Sequence, residues 1–434
     1  MWRFLYRSVL YPLFRLAAGG AGAASDKGRR GNAGRTGWRE QLSDLRAREP
    51  GEFAIHFHAA SVGEFEQAKP IIEALRADGG KYRITASFFS PSGFEQQGGY
   101  SAIDGACYLP WDRPAEMRDF HDRIAADLVI VIRYDLWPEF LLEAARRGVP
   151  VALVCGVLRE NSARLRPLLR DFFTDLYRHL SLICAVGEED AVAFRRLVPD
   201  VPLAVAGDTR YDRVLARAAA VADVGVFSAT VRAGRRILVA GSTWPRDEEY
   251  LRSLSGLKDL LMIIVPHEPT EKHVASLLDA FPGSVTLTRL ERDGAETPPG
   301  AVIVDRTGIL AALYRIGDIA YVGGGFGDGV HSVLEPAAYG VPVLSGPGIG
   351  RSRDAVLMAA AGSLGVMADG DDLAGRISDL LRGNEARRIG AISRAVVEER
   401  IGATGRILGV LRQRGLLPEG MGPGGEKAPD AQIS

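Results

Sequence analysis

Cysteine is scarce in this 434-residue chain: Cys107, Cys155 and Cys184 are odd in number and far apart, and the latter two sit inside apolar runs. This excludes a disulfide framework or a cysteine zinc site and predicts buried thiols in a reducing compartment. An excess of one charge is lacking too. With 53 basic and 54 acidic residues the net charge is −1, so the body has no electrostatic basis for non-specific nucleic-acid binding. The dinucleotide fingerprint G-x-G-x-x-G is missing, because Asp328 stands where the third glycine belongs in the run from Gly323. There is no G-x-x-x-x-G-K-[ST] either, and no D-x-D pair in a suitable loop. Glycine, in contrast, is plentiful at 51 residues, against a typical share of ~7%. The length predicts two or three domains at roughly 150 residues each.

Charge is uneven at one place. Residues 1–39 hold eight basic residues and one acid. Among them Trp2, Phe4, Leu5, Tyr6, Val9, Leu10, Tyr11, Leu13, Phe14 and Leu16 make an aromatic-rich surface, with Arg3, Arg7 and Arg15 on one arc of a helix. Phe14 falls within that polar arc and Pro12 should kink the helix. The run is shorter than the ~20 residues of a spanning helix, and Arg15 interrupts what would be a signal-peptide core. It predicts a segment lying on an anionic membrane surface, followed by a Gly/Ser/Arg linker over 19–37.

From Phe53 onward, short β-branched runs alternate with helical patterns, the signature of a parallel sheet buried on both faces. Strands are expected over 53–58, 83–89, 127–132, 149–155, 181–186 and 201–205. The pattern pauses across an alanine-rich stretch and resumes with strands over 236–240, 260–265, 284–287, 301–304, 318–322, 341–344 and 364–367, then a long helix over 384–411. The division predicted is an anchor and linker over 1–39, a Rossmann-like lobe over 40–212, a linker over 213–234, a second such lobe over 235–415 and a disordered tail over 416–434. Such α/β lobes bind ligands at the carboxyl ends of their strands, here in an inter-lobe cleft.

Several strand ends carry chemistry. After the first strand, Ser61 and Glu64 have the spacing of a capping box, yet the same carboxylate stands where a general base would. Arg133 and Asp135 leave another strand together, to bind a polar substrate or to pair with each other. Gly207-Asp-Thr-Arg-Tyr-Asp212 is either an ion-pair network or an anion site. In the second lobe, Gly241-Ser-Thr-Trp-Pro245 presents hydroxyls and amides beside an acidic helix start. Pro266-His267 ends the next strand, where a lone histidine is more often structural. Gly323 through Pro336 leaves a strand by a glycine loop and enters a helix, suiting close approach to a phosphate. Ser332 and Glu335 repeat the capping-box spacing. Two lobes, a phosphate-seeking loop and a carboxylate describe a nucleotide-sugar transferase of GT-B architecture.

Six runs in this order, His58 to Glu66, Phe88 to Phe94, Tyr134 to Pro138, Gly207 to Arg213, Gly241 to Pro245 and Gly323 to Pro336, together resemble the 3-deoxy-D-manno-octulosonic acid (Kdo) transferases, most closely a Bacteroidetes-type branch. The resemblance implies transfer of Kdo from CMP-Kdo to the lipid A precursor lipid IVA at the cytoplasmic face of the inner membrane, with inversion and without a metal or further cofactor. It implies an acceptor-binding first lobe with Glu64 as base and Asp135 catalytic. It assigns the donor to Arg210, Ser242, Thr243, Pro266, His267, Thr307, Gly308, Ile309, Gly323, Gly324, Gly325, Ser332, Val333, Leu334 and Glu335. His267 stands where arginine is common, Ile309 and Asp135 where glutamate is, and Ser332 where asparagine is. The alternatives are a UDP-sugar-dependent GT-B enzyme of the envelope and a non-catalytic membrane-associated nucleotide-binding protein.

Overall fold

The computed structural model describes residues 2–16, 25–220, 225, 227, 229–294, 299–327 and 329–419. They form two compact units, Met1–Arg213 with Ile401–Ser434, and Val214–Arg400. In the first, strands β1 (Phe53–Ala59), β2 (Tyr82–Phe88), β3 (Gly105–Tyr108), β4 (Leu128–Ile132), β5 (Val151–Gly156), β6 (Leu182–Ala185) and β7 (Leu203–Val205) form a sheet in the order β3-β2-β1-β4-β5-β6-β7. All neighbours in it are parallel. The apolar runs are continuous because both faces are covered: along β4, Leu128, Ile130 and Ile132 enter one core while Val129 and Val131 enter the opposite one.

The second unit repeats this plan with β8 (Arg236–Thr243), β9 (Leu260–Pro266), β10 (Val285–Thr286), β11 (Ala301–Ile303), β12 (Ile319–Val322), β13 (Val343–Ser345) and β14 (Leu364–Val366), ordered β10-β11-β9-β8-β12-β13-β14. Ile237 and Val239 point to one core, Leu238 and Ala240 to the other. In each sheet the winding reverses once, between β1 and β4 and between β8 and β12. Open α/β sheets place their ligand sites at that reversal.

All expected strands are present, and one, β3, was not foreseen. Four other expectations change. The segment 19–37 is not simply a linker, because Asp26–Thr36 is a helix that buries Arg35, and Trp38 behind it has no exposed surface. The alanine-rich stretch begins as helix Thr209–Ala220. The long terminal helix is two, Glu385–Glu398 and Ala403–Gln413, broken where Gly402 adopts φ 87°. The second of these belongs to the first unit: Ile407, Leu408 and Leu411 bury in the core shared with Ile55 and Phe57. The second lobe therefore ends near Arg400, not at 415, because the apolar face of this last helix completes the first core. Leu417 is buried there as well, and residues 420–434 of the expected tail lie outside the described residues.

The amino-terminal segment 2–16 is helical, with a π-helical turn at Tyr6–Leu10. Its aromatic residues divide. Tyr6 donates to Asp112 (2.6 Å), Arg7 binds Glu139 through two hydrogen bonds, and Phe14 packs on Phe89, Trp111 and Trp137. Phe4, Leu13 and Leu16 remain exposed at 76%, 58% and 73%. Among the described residues no helix is long and apolar enough to cross a membrane.

Candidate active site

In the first unit the reversal point gathers the ends of β1 and β4. Helix Val62–Ala77 starts directly after β1, with Ser61 as N-cap, but the Ser61 side chain caps no backbone N–H. The capping-box reading of Ser61 and Glu64 is thus not realised. The Ser61 hydroxyl donates to the Glu64 carboxylate instead, leaving that carboxylate uncommitted to the helix backbone. Glu64 is 8% exposed.

Asp135, just beyond β4, does not pair with Arg133. It accepts from His58 Nε2 at 2.9 Å. His58 Nδ1 reaches Ser87 Oγ (2.9 Å), which also meets His56 Nε2 (2.9 Å), and His56 Nδ1 meets Thr85 Oγ1 (2.9 Å). This polar chain runs under β1 and β2 from a half-buried carboxylate to a fully buried imidazole. Burial holds the His56 imidazole well below its usual pKa, so it stays neutral. Arg133 itself has φ 68°, a strained conformation for a residue with a side chain. Gln67, one turn after Glu64 in the same helix, is fully buried with neither amide atom hydrogen-bonded. Buried amides are usually hydrogen-bonded, so this one is an exception in the helix that carries Glu64. Its i+3 spacing puts it on the same helix face as Glu64, but nothing in the sequence marks it as unpaired.

Arg210 lies in the first unit, where its guanidinium binds Asp208 (2.9 and 2.7 Å), so the ion-pair reading of that motif is realised. Asp212 accepts from the backbone N–H groups of Gly402 (2.6 Å) and Thr404 (2.7 Å), capping the last helix.

In the second unit the ends of β8, β9 and β12 converge. A register shift at the end of β8 leaves Ser242 with φ 54°. Thr243 is fully buried and its hydroxyl donates to Glu248 (2.9 Å), so that hydroxyl is not free for a ligand. His267, following Pro266 at the end of β9, is exposed and stacks between Trp244 (4.7 Å between ring centres) and His331 (4.5 Å). Trp244 Nε1 donates to His331 Nε2 at 3.0 Å. Burial, then the neighbouring His267, lowers the His331 pKa, which suits a neutral ring accepting that bond. Sequence reading gave His267 alone; Trp244 and His331 complete a stacked trio at the glycine loop.

The glycines of that loop serve first to pack backbone on backbone. A Cβ at Gly323 would collide with the Ser242 carbonyl, and one at Gly325 with Gly346 N. Gly324 has φ 90° and donates to Asp247 (2.9 Å), which also accepts from Trp244 N (2.9 Å) and Tyr321 Oη (2.7 Å). Buried Asp247 thus ties the loop to the end of β8, and only the acidic helix start hinted at it. The loop enters a helix of five residues, Leu334–Ala338, with no side-chain cap. The Ser332–Glu335 capping box is therefore not formed, and so short a helix supplies little dipole. Val333 and Leu334 are buried, Ser332 is exposed, and Glu335 lies 3.4 Å from Arg217. Thr307 and Gly308 are exposed beyond β11, and Ile309 packs into the core. Among the described residues no three His, Cys, Asp or Glu side chains converge as metal ligands.

Two parallel seven-stranded sheets, each with its candidate residues at the winding reversal, define the two-lobe GT-B fold. Solved structures agree in that fold: UDP-GlcNAc 2-epimerase from Neisseria meningitidis bound to UDP-GlcNAc (13% identity, TM-score 0.59, 83% of this chain and 100% of that one) and a glycosyltransferase from Rickettsia africae (11%, 0.55, 84% and 98%). Residues 35–213 match the family described as 3-Deoxy-D-manno-octulosonic-acid transferase (kdotransferase). The chain is 28% identical over 433 residues to the 3-deoxy-D-manno-octulosonic acid transferase of Haemophilus influenzae, covering 95% of this chain and 98% of that protein. By these matches the chain is similar to Kdo transferases, over residues 35–213 to the family and over nearly its whole length to the Haemophilus protein.

Proposed function

We propose that the chain transfers Kdo from CMP-Kdo to the lipid A precursor lipid IVA, inverting the anomeric carbon and using no metal ion or further cofactor, at the cytoplasmic face of the inner membrane. Glu64 carries this reading: a buried carboxylate at the end of β1, released from helix capping and polarised by one hydroxyl. It takes the proton of the acceptor hydroxyl as the new oxygen–carbon bond forms. The bond from the sugar carbon to the phosphate oxygen breaks, and CMP leaves with the electron pair. General-base assistance of this kind contributes roughly 10²- to 10⁴-fold. The His58–Asp135 pair orients the acceptor beside it. The amide and hydroxyl of Ser242 and the imidazole N–H groups of His267 and His331 receive the departing phosphate. One D-x-D run, Asp369-Gly370-Asp371, is occupied otherwise: Asp369 caps its own helix through Asp372 N (2.9 Å).

The membrane assignment draws on the basic amino-terminal segment and its exposed Phe4, Leu13 and Leu16. Glu64→Gln should keep CMP binding by calorimetry within about twofold and lose transfer by at least the ~10² expected of a base. Near-normal turnover by this variant removes Glu64 from the chemistry. Calorimetric preference for UDP over CMP sinks the donor assignment, and loss of transfer in chelator sinks metal independence.

A further inference from the structure

The first unit contains a cavity of about 500 Å³ whose apolar walls have no part in the chemistry above. Tyr6, Leu10 and Phe14 of the amino-terminal segment form one wall, and Phe172, Phe173 and Leu176 of helix Pro167–Tyr177 form another. The volume falls in the range of ligand sites, about 300–1,000 Å³, and such walls match a hydrocarbon chain rather than a sugar. Asp135 also lines the cavity, joining it to the residues at the end of β4.

A second observation concerns charge. Four arginines around this aromatic wall have no carboxylate partner among the described residues, although most arginines of the unit do. Arg15 lies over Trp111 at 4.0 Å and Arg35 over Phe89 at 4.0 Å. Arg133 and Arg164 lie 5.9 and 5.4 Å from the centre of the Tyr134 ring. Arg35 and Arg133 each keep a buried Nε without a partner. Burial pushes the Arg35 guanidinium down to about 10, which an anion beside it would reverse. An open apolar groove with Arg164 in its wall, and with Arg15, Arg35 and Arg133 on the neighbouring Trp111, Phe89 and Tyr134 rings, is complementary to an amphiphile with a phosphorylated head.

We propose that this cavity takes one acyl chain of the lipid acceptor, drawn out of the bilayer, with the anionic head held against Arg15, Arg35, Arg133 and Arg164. This rests on the reading of the acceptor as a membrane lipid. Seating one chain in the groove fixes which hydroxyl of a mobile lipid is presented to the reacting centre, a role that a general membrane contact does not fill.

Calorimetry on the full chain with dodecyl phosphate, below its critical micelle concentration, tests it. One saturable site is expected. Leu10→Trp, which narrows the cavity from a part-exposed position, weakens it roughly tenfold, the equivalent of about two buried methylenes. Arg164→Gln weakens it similarly, and so does the uncharged head of dodecyl maltoside. No saturable site in the wild type, or equal affinity in Leu10→Trp, overturns the cavity as a chain site. Equal affinity for dodecyl maltoside overturns the head-group contacts. In transfer assays, Leu10→Trp should raise KM for the acylated acceptor roughly tenfold more than KM for a fully deacylated one, and equal effects on both count against the proposal. A wild type that binds dodecyl phosphate yet transfers no Kdo to either acceptor would sink the Kdo reading and leave the cavity standing.

Discussion

At the scale of the residue, glycine is used for contact as much as for conformation. Gly323→Ala drives a Cβ into the Ser242 carbonyl and the Thr243 backbone, so it should destabilise the second unit by about 1–3 kcal/mol. Gly375, exposed inside helix Gly370–Leu381 with open space around it, should gain about 0.5–1 kcal/mol on change to Ala. Urea unfolding of the two variants separates them, and equal shifts would contradict the packing described. The thiols give a second residue-scale expectation. Burial pushes Cys155 and Cys184 up to about 12, so iodoacetamide at pH 8 should leave all three cysteines unmodified until urea is added, as mass spectrometry would report. Part of this scale was open to reading in the sequence. Buried thiols follow from apolar neighbours, whereas Ser61 and Glu64 have one spacing that serves two roles, and only coordinates distinguish them. Asp247 and Gln67 were hidden, because a carboxylate receiving three donors, or an amide receiving none, is a property of tertiary surroundings.

At the scale of the element, the last helix depends on a residue far back in the chain. Asp212 receives two backbone N–H groups and the Thr404 hydroxyl (2.6 Å) at its start. Asp212→Ala should cost about 1–2 kcal/mol as a lost cap. It should raise hydrogen-exchange rates in Ala403–Gln413 while leaving helix Val62–Ala77 protected; uniform protection would remove the capping role. Strands buried on both faces announce themselves as unbroken apolar runs, which is why thirteen of the fourteen were legible. β3, with Gly105 and Ala106 among its four residues, has too little β-branched bulk to read as a strand. Helix Asp26–Thr36 has three glycines and no apolar stripe. It is held instead by tertiary contacts, Arg35 against Phe89 and Gly31 against Pro91.

At the scale of the whole molecule, two buried imidazoles set the response to acid. Burial lowers His121 to about 4 and His56 well below the ordinary 6.5. The folded state refuses protons that the unfolded chain accepts, so this stability is complete above pH 6.5 and is lost as pH falls toward 4. For His121 alone the loss is on the order of 3 kcal/mol. Glu52 and Glu143, held near 2 by Arg46 and Arg146, act in a lower window, below 4.5. Urea midpoints should therefore fall between pH 7 and 4.5, and His121→Gln should flatten that fall; a flat profile in the wild type would contradict buried neutral histidines. The twofold repetition of the plan was legible from the pause and restart of the strand pattern. That the first unit is discontinuous was not, since Asp212 and Gly402 are 190 residues apart and no local pattern joins them.

That discontinuity bears on how the protein is made. Between Arg213 and Ile401 the ribosome must deliver the 187 residues of the other unit, about ten to forty seconds at 5–20 residues per second. Throughout that interval the nascent sheet exposes the seam that Ile407, Leu408 and Leu411 will seal, and the later-born unit is free to mature before the earlier one closes.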